Sequence, residues 1–488
     1  MERLQITRGT QIASLGPSAI DVSYRDAQAA CSYSMYQRDI SACSVLRISW
    51  ISHAPKSPLN ALNLQRAFSY ATIKPPGTDP LKHVCSIEAE PLHRYKVGGY
   101  HPVALGDLFK DDRYKVLHKL GWGGYSTVWA AKDLRNEKYV ALKVSVAQTY
   151  GKSRELKVLH HLTRHHSGDT GARHVMQLLD HFHIDGPNGK HECLVLEFLG
   201  PSIADVVDTR FSDERLPGSL AKSSVQQALT GLAYLHKHNI AHGDLHTRNL
   251  AFVIPSLHTL TESQLLQKLQ TPQIDAVKRK DENPLEPGMP AYLVHPTSYP
   301  LHASLSQPHI KILDFGSSFL TPDAPETLHT PLCVRAPEVI FREKLDFRVD
   351  LWSAGCMVRS NPGHPKVLNE NALTHPQIFE LIAGQPPFDS VMATPVSVVR
   401  QMLETASDEL PERWRRKWQD MDGAWAGGEV ENTLQCWLEE TYFDGLRKED
   451  FTREDVGKVG RLVHKLLLFE PGMRASAQGV LQDSWLSN

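Results

Sequence analysis

Three short segments of the chain carry the residue types that phosphate chemistry requires. The first, Gly121-Trp-Gly-Gly-Tyr-Ser-Thr-Val128, is rich in glycine, so its backbone N–H groups can approach an anion closely. Lys143 ends the apolar run Val140-Ala-Leu-Lys143 and can neutralise phosphate there. Glu155 follows on a helix-like segment and can pair with Lys143. This order predicts a phosphate cradle with a cation held beside it.

The other two segments supply carboxylates and an amide. The segment His242-Gly-Asp-Leu-His-Thr-Arg-Asn249 contains Asp244, which can orient an attacking hydroxyl or accept its proton. The same segment contains Asn249, a neutral oxygen ligand for Mg²⁺. Asp314 lies in Ile312-Leu-Asp-Phe-Gly316, where a strand end can present a metal ligand. Together the three segments contain the parts that phosphoryl transfer needs.

Short strand-like runs precede the helical part of the chain and must position these segments. The expected strands cover residues 116–120, 126–131, 139–144 and 193–198. A helix is expected at 155–162, and a longer amphipathic one at 225–238. Strands first and helices later predict an α+β protein with two lobes. We expect the strand-rich lobe at 95–199 and the helical lobe at 200–488.

Composition excludes several classes of protein. The chain has 488 residues, of which 41% are hydrophobic and 22% are charged, so it is neither mainly disordered nor fibrous. The formal net charge of −2 predicts no direct binding to nucleic acid. No run of about 18 apolar residues predicts a membrane span. Seven scattered cysteines without a CxxC pair favour a reduced intracellular compartment over a disulfide framework.

The order of the motifs resembles that of the eukaryotic protein kinases. After the segments described above come Arg335-Ala-Pro-Glu338 and Asp350-Leu-Trp-Ser-Ala-Gly355, so the resemblance extends over about 95–488. Within this superfamily, Gly99-Tyr-His-Pro-Val103 and the run 119–129 resemble the serine/arginine-rich (SR) protein kinases. The resemblance implies a bilobal kinase fold, ATP and Mg²⁺, and phosphorylation of serine in Arg/Ser-rich proteins. It also implies a cytoplasmic or nuclear location, and we expect a monomer.

The resemblance assigns roles by position. Asp244 would be the catalytic aspartate, and Lys143 and Glu155 would form the ion pair of the active state. The Mg²⁺ ligands would be Asn249 and Asp314. The ATP-binding residues would be Leu120, Gly121, Trp122, Gly123, Gly124, Tyr125, Ser126, Thr127, Val128, Lys143, Glu197 and Leu199. Two structural roles are also implied: an ion pair between Glu338 and Arg474, and a brace on the catalytic loop from Asp350.

Two positions of the catalytic loop depart from the family pattern. Gly243 stands where most protein kinases have an arginine that binds an activation-loop phosphate, which argues against switching by that route. His246 replaces the catalytic-loop lysine that usually touches the transferred phosphate. The resemblance to some tyrosine kinases indicates that Arg248 supplies the missing charge.

Three segments are additions to the kinase pattern. Residues 1–94 form an N-terminal extension that is basic and poor in acids between 27 and 78, which fits a mitochondrial targeting segment, a disordered tail or an incorrectly assigned start. Residues 254–308 are expected to be mostly surface loop, with a short helix at 262–269. Residues 358–377 contain three prolines and interrupt an amphipathic pattern, which indicates a retained intron or a surface loop.

Alternatives from other functional classes remain open at this point. The motif HGDLHxxN also resembles small-molecule phosphotransferases of the aminoglycoside and choline kinase type, although the segments 335–338 and 350–355 are typical of protein kinases. His246 and the interrupted helix favour a pseudokinase that binds nucleotide without transfer. A histidine-rich stretch at 160–174 fits either a metal site or a solvated helix end. The acidic region 389–455 fits either a solvated face or a docking surface for arginine-rich substrates.

Overall fold

A computed structural model describes residues 82–165, 168–211, 215–300, 308–356, 388, 394–422, 434–443 and 449–487. Its strand-rich lobe is built on a six-stranded antiparallel sheet with the order β2-β3-β4-β5-β7-β6. These strands are β2 (Leu108–Phe109), β3 (Tyr114–Gly123), β4 (Ser126–Asp133), β5 (Lys138–Ser145), β6 (Leu178–Gly186) and β7 (Gly189–Glu197). Helix α1 (Arg154–His165) follows β5. The strands expected from the sequence are confirmed, whereas β6 was not predicted.

The helical lobe follows the last strand of this sheet. Its helices are α2 (Ile203–Arg210), α3 (Gly218–Lys237), α4 (Glu262–Leu269), α5 (Pro337–Ile340), α6 (Val349–Gly355), α7 (Pro395–Thr405), α8 (Glu412–Asp422), α9 (Leu434–Tyr442), α10 (Arg453–His464), α11 (Ala477–Leu481) and α12 (Ser484–Ser487). Apolar residues at i, i+4, i+7 and i+10 bury one face of α3, as its sequence predicts. The buried face of α3 belongs to a large apolar cluster that also includes Ala141, Leu194 and Leu196 of the strand-rich lobe.

Pairs of short strands hold the loops that carry the chemistry. The strand β9 (Leu250–Phe252) pairs with β13 (Ile310–Ile312), and β8 (Ile240–Ala241) pairs with β14 (Phe319–Leu320). The first pair places Asn249 directly before β9 and Asp314 shortly after β13. Because the two strands are antiparallel, the start of one adjoins the end of the other. The sheet register therefore brings two distant motifs together.

The segment 254–300 differs from the expected surface loop. Its helix α4 is confirmed within the bounds that the sequence predicts, but the segment as a whole packs on the strand-rich lobe. The side chains of Leu265 and Leu269 are fully buried beside residues of β3, β4 and β5. Strand β12 (Tyr292–Val294) pairs with β10 (Ile274–Ala276), and its Val294 joins the apolar cluster on the other face of the sheet. The strands here span only two or three residues, too few for a readable period.

The last part of the N-terminal extension is also ordered. Residues 82–94 were expected to belong to a disordered or targeting segment, but β1 (His83–Val84) pairs with β11 (Lys278–Arg279) of the inserted segment. The carboxylate of Glu90 pairs with the buried ammonium group of Lys119 in β3. A buried charge is tolerated only when it is paired, so this contact makes residues 82–94 part of the lobe. Residues 1–81 lie outside the described residues.

Other expectations fall on parts of the chain that the structure does not describe. The insertion at 358–377 lies wholly outside the described residues, and the acidic region 389–455 is described only in part. None of the helices in the described ranges combines the length and hydropathy that a membrane span needs.

The N-terminal cap of α4 offers a test of how firmly the inserted segment is held. The Thr261 hydroxyl accepts a hydrogen bond from the Gln264 amide, and the Gln264 side chain accepts one from the Thr261 amide, forming a capping box. We expect Thr261→Ala to weaken α4 by about 1 kcal/mol. Hydrogen exchange of the α4 amides should then be about 5-fold faster. Thr259→Ala, which removes an exposed hydroxyl outside the cap, is the matched control, and equal exchange in the two variants would contradict the prediction.

Candidate active site

An ion-pair triad forms the centre of the site. Lys143 lies on β5 at the back of a cavity between the lobes, and its Nζ atom lies 2.8 Å from Oε1 of Glu155 on α1. The same Nζ atom lies 2.7 Å from Oδ1 of Asp314. Helix α1 begins at Arg154, one residue before Glu155, which agrees with the short spacing between Lys143 and Glu155 in the sequence. The structure thus brings the predicted cation and two of the predicted carboxylates together.

The triad fixes the charge on two of its members, Lys143 and Asp314. Burial alone would lower the pKa of Lys143, but the carboxylates of Asp314 and Glu155 outweigh burial and raise it. The cation of Lys143 holds the pKa of Asp314 at about 2. Lys143 is therefore positive and Asp314 negative at neutral pH. Asp314 itself adopts a left-handed backbone conformation with φ of 60°, in which its Oδ1 atom accepts a hydrogen bond from the Gly316 amide.

The loop that carries Asp244 is held by a buried carboxylate. Asp350 on α6 accepts hydrogen bonds from the amides of His242 and Gly243, at 2.7 and 2.8 Å. The predicted brace from Asp350 is therefore confirmed. Gly243 has φ of 77°, and a Cβ atom placed there would lie 2.5 Å from the Ser317 carbonyl oxygen. Only glycine fits this path, which explains physically why no arginine occupies the position.

His246 and Asn249 are joined through the asparagine amide. Nδ2 of Asn249 donates a hydrogen bond to the Asp244 carbonyl oxygen at 3.0 Å and lies 3.0 Å from Nε2 of His246. Both amide hydrogens are thereby engaged, and Oδ1 of Asn249 remains as an acceptor. An amide oxygen and the ionised carboxylate of Asp314 are hard oxygen donors of the kind that Mg²⁺ prefers. The residues present fit this metal.

The carboxylate of Asp244 has one oxygen that is not engaged. Oδ1 of Asp244 is buried and accepts no hydrogen bond from any residue that the structure describes, while Oδ2 lies 3.5 Å from Nε2 of His246. Arg248 lines the cavity, and its guanidinium lies 3.3 Å from Asp205 and 3.4 Å from Asp208, both on α2. The guanidinium group of Arg248 therefore faces the two aspartates of α2.

The glycine-rich segment folds as the turn between β3 and β4. Gly121 pairs with Val128 and Gly123 with Ser126, and at both glycines an added Cβ atom would meet no other atom within 4 Å. The backbone is therefore open to a ligand on that side. Among the other predicted residues, Tyr125 is 65% exposed at the tip of the turn. Thr127 is buried, and its hydroxyl accepts a hydrogen bond from Trp129.

A cavity of about 520 Å³ lies under this turn. Of the residues predicted from the sequence, it is lined by Leu120, Gly121, Trp122, Gly123, Ser126, Val128, Lys143, Glu155, Glu197, Leu199, Arg248 and Asp314. Gly124, Tyr125, Thr127, Asp244 and Asn249 are not among its lining residues. The carboxylate of Glu197 is held at 2.7 Å by Lys311, which leaves the backbone of this segment to face the cavity. The size suits a small-molecule ligand.

Several lining residues were missed by sequence reasoning. Apolar walls come from Ala141, Met176, Leu196 and Ala251, and one further wall comes from 297–299 in the inserted segment. The Thr297 amide donates a hydrogen bond to the Lys119 carbonyl oxygen at 3.0 Å, which fastens this wall to β3. Ala141 belongs to the motif of Lys143 and could have been identified, whereas nothing in the composition of 297–299 points to a ligand.

We expect Tyr299→Ala to weaken nucleotide binding without stopping turnover. Tyr299 belongs to the same buried apolar cluster as Leu265 and lines the cavity. Loss of an aromatic contact of about 0.5–1.5 kcal/mol corresponds to a rise of roughly 2- to 10-fold in the KM for ATP. Tyr150→Ala, which removes an exposed ring outside the cavity, is the control. An unchanged KM in the Tyr299 variant would show that this wall does not contact the nucleotide.

The helical lobe contains the second predicted ion pair. The guanidinium of Arg474 donates two hydrogen bonds to the carboxylate of Glu338, both at 2.7 Å, and both side chains are buried. The pair joins the short helix α5 to the segment before α11. This bridge is confirmed as the resemblance predicted.

Comparisons with known proteins agree with this geometry. A model of the protein kinase domain matches residues 114–275. A serine/threonine protein kinase of Aspergillus fumigatus is 29% identical over 83% of this chain and 92% of its own. The serine/threonine-protein kinase SRPK of Physarum polycephalum is 34% identical over 56% of this chain and 65% of its own. The human SRSF protein kinase 3 is 40% identical over 34% of this chain and 30% of its own.

A solved structure supports the fold. A crystallised kinase domain superposes with a TM-score of 0.51 at 20% identity, covering 79% of this chain and 98% of that domain. At this level of identity the likeness concerns the fold alone. The fold and the triad around Lys143 agree with these likenesses: residues 114–275 match the protein kinase domain, and the chain is similar to serine/threonine kinases, the SR-protein kinases among them.

Proposed function

We propose that this kinase transfers the γ-phosphoryl group of ATP to serine hydroxyls of Arg/Ser-rich proteins. The observation that carries the proposal is the triad of Lys143, Glu155 and Asp314 at the back of the cavity, close in the fold to the loop of Asp244. It supports a site that holds polyphosphate on one side and a protein hydroxyl on the other.

We assign the nucleotide to the cavity. The adenine would lie against the backbone of Glu197 and Leu199, and the phosphates would pass under the turn at 121–126 to Lys143. Asn249 and Asp314 would hold Mg²⁺, which when bound neutralises charge on the phosphates. The ion pair with Glu155 fixes the position of the Lys143 ammonium group, because both side chains are largely buried.

We place the serine hydroxyl of the protein substrate beside the carboxylate of Asp244. The serine oxygen forms a bond to the γ-phosphorus, the bond from that phosphorus to the β–γ bridging oxygen breaks, and ADP leaves. The hydroxyl proton passes to the carboxylate of Asp244, whose side chain is 27% exposed. Arg248 would supply positive charge near the transferred group, since His246 replaces the usual lysine.

Two features support Arg/Ser-rich proteins as substrates. The relatives include kinases named for SR proteins, at 34–40% identity over part of the chain. The region 389–455 has 16 acidic and 8 basic residues, and the exposed carboxylates of Glu409 and Glu412 already bind one arginine of the chain, Arg415, at 3.3 and 2.8 Å. Carboxylates bind the arginine guanidinium in a bidentate manner, which gives selectivity over lysine.

The substrate proposal is tested with two peptides of equal length and charge, an Arg-Ser repeat and a Lys-Ser repeat. We expect kcat/KM for the arginine peptide to be higher by about 10-fold or more, because the lysine ammonium cannot form the bidentate contact. Equal values for the two peptides would contradict the assignment of an arginine-specific surface. Transfer to choline or an aminoglycoside, with neither peptide phosphorylated, would favour a small-molecule phosphotransferase.

We also propose that the kinase acts as a monomer in the cytoplasm or the nucleus, as its resemblance to SR-protein kinases indicates. Light scattering of the full chain and imaging of a tagged chain test the two statements. A stable dimer would contradict the first, and import into mitochondria would contradict the second.

A further inference from the structure

Three histidines from two helices converge away from the catalytic cavity. His161 and His165 lie one helical turn apart near the end of α1, and His238 follows directly after α3. One ring nitrogen from each lies within 4.8 Å of the others. The ring centroids are 4.5 Å apart for His161 and His165, and 4.8 Å apart for His165 and His238. Sequence spacing alone could not show this cluster, because His238 is distant along the chain.

The cluster has the chemistry of a transition-metal site. Nδ1 of His165 lies 2.8 Å from the His161 carbonyl oxygen, to which it donates its hydrogen, so Nε2 presents a lone pair. Metal-binding histidines commonly donate their second N–H group to a carbonyl oxygen in this way. Tetrahedral Zn²⁺ with bonds of 2.0–2.1 Å requires ligand nitrogens about 3.4 Å apart. From separations within 4.8 Å, each pair of nitrogens would have to close by at most about 1.4 Å through side-chain rotation, and water would be the fourth ligand.

The cluster is accessible to a cation, although two positively charged side chains, Arg164 and Lys237, lie near it. His161 and His238 are half-buried and His165 is exposed, so the site opens to solvent on one side. The nearby ammonium group of Lys237 is paired with Asp169 at 2.8 Å, which offsets its charge. His160, the next residue on α1, packs instead against His181 at 4.7 Å and is not part of the cluster.

We propose that His161, His165 and His238 form a Zn²⁺ site that clamps α1 to the end of α3. Helix α1 also carries Glu155, which meets Lys143 in this same conformation. A metal ion that binds one conformation stabilises it by mass action. Zn²⁺ would therefore hold α1 in the position in which the ion pair is formed. This site is separate from the Mg²⁺ ligands of the proposed function.

Binding is measured by calorimetric titration of ZnCl₂ into the full, metal-stripped chain without a polyhistidine tag. Mg²⁺ is present in excess, so that the oxygen ligands of the catalytic cavity do not compete for Zn²⁺, and nucleotide is left out because its phosphates would chelate Zn²⁺. We expect saturable binding of one equivalent, weakened at least about 10-fold by His238→Ala and by His165→Ala. The matched control is His160→Ala, which should bind as tightly as the unchanged chain. No saturable binding, or equal binding by the His238 and His160 variants, would overturn the proposal.

A second measurement tests the clamp itself. Zn²⁺ should slow hydrogen exchange of the α1 amides in the unchanged chain and in His160→Ala, and should have no such effect in His238→Ala. Exchange that Zn²⁺ slows equally in all three chains would contradict the clamp. Neither measurement needs phosphoryl transfer, so Asp244→Asn should give the Zn²⁺ results of the unchanged chain. Failure of the metal site is thus distinguishable from failure of the proposed kinase function.

Discussion

Replacing Asp244 with asparagine is expected to lower kcat by about 100- to 10,000-fold. Asparagine keeps the size of the side chain but cannot accept a proton from the substrate hydroxyl at neutral pH. Asp244 is not among the residues that line the nucleotide cavity, so the variant should bind ATP as the unchanged chain does. The expected result is a loss of turnover with retained nucleotide affinity, measured by peptide phosphorylation and by ATP titration of the same protein.

The control for this prediction is Asp281→Asn. Asp281 pairs with Arg279 in the inserted segment, so its replacement changes the net charge equally and does not touch the catalytic loop. Its kcat should match that of the unchanged chain. If Asp244→Asn retained full turnover, another group would have to accept the proton. If it lost ATP binding as well, the carboxylate would have a structural role in place of a catalytic one.

Removing the carboxylate of Glu338 is expected to destabilise the helical lobe by about 3–5 kcal/mol. The guanidinium of Arg474 is fully buried, and Glu338 supplies the only opposite charge bonded to it among the described residues. Its other partners are the backbone carbonyl oxygens of Arg348, Leu468 and Phe469. Glu338→Ala therefore leaves a buried charge uncompensated. The midpoint of urea unfolding, followed by tryptophan fluorescence, should fall strongly.

A matched surface variant separates this effect from ordinary loss of an ion pair. Glu343 contacts Arg413 at 3.0 Å in a partly exposed pair, so Glu343→Ala should change stability by about 0–1 kcal/mol. A double variant, Glu338→Leu with Arg474→Met, removes both charges and should recover part of the loss. Equal unfolding midpoints for the Glu338 and Glu343 variants would show that burial of the pair contributes little.

The sequence predicted the parts of the site that are set by local motifs. The pairing of Lys143 with Glu155, the brace from Asp350 and the bridge from Glu338 to Arg474 all follow from residue types in a fixed order. Such motifs are informative because each role needs a specific group at a specific point of the fold. Apolar runs bounded by glycine or charged turns placed β3, β4 and β5 within a few residues, since each of these strands buries a run of consecutive residues.

Contacts between distant segments were not predictable in the same way. The cavity wall at 297–299 depends on how a Pro- and Ser-rich segment crosses β3, and the pair of Glu90 with Lys119 depends on where the N-terminal segment runs. Both are set by tertiary packing of short elements. The meeting of His238 with α1 is a third case, because the relative placement of two helices decides it.

The most direct test of the central claim is transfer of radiolabelled phosphate from Mg-ATP to an Arg-Ser repeat peptide by the full chain. The account predicts label on serine, its loss in Asp244→Asn, and ATP binding in both proteins. Binding of ATP by the unchanged chain without any transfer to peptide or protein would contradict it. That result would identify a nucleotide-binding scaffold. The first variant to test would then be His246→Lys, which introduces the usual catalytic-loop lysine.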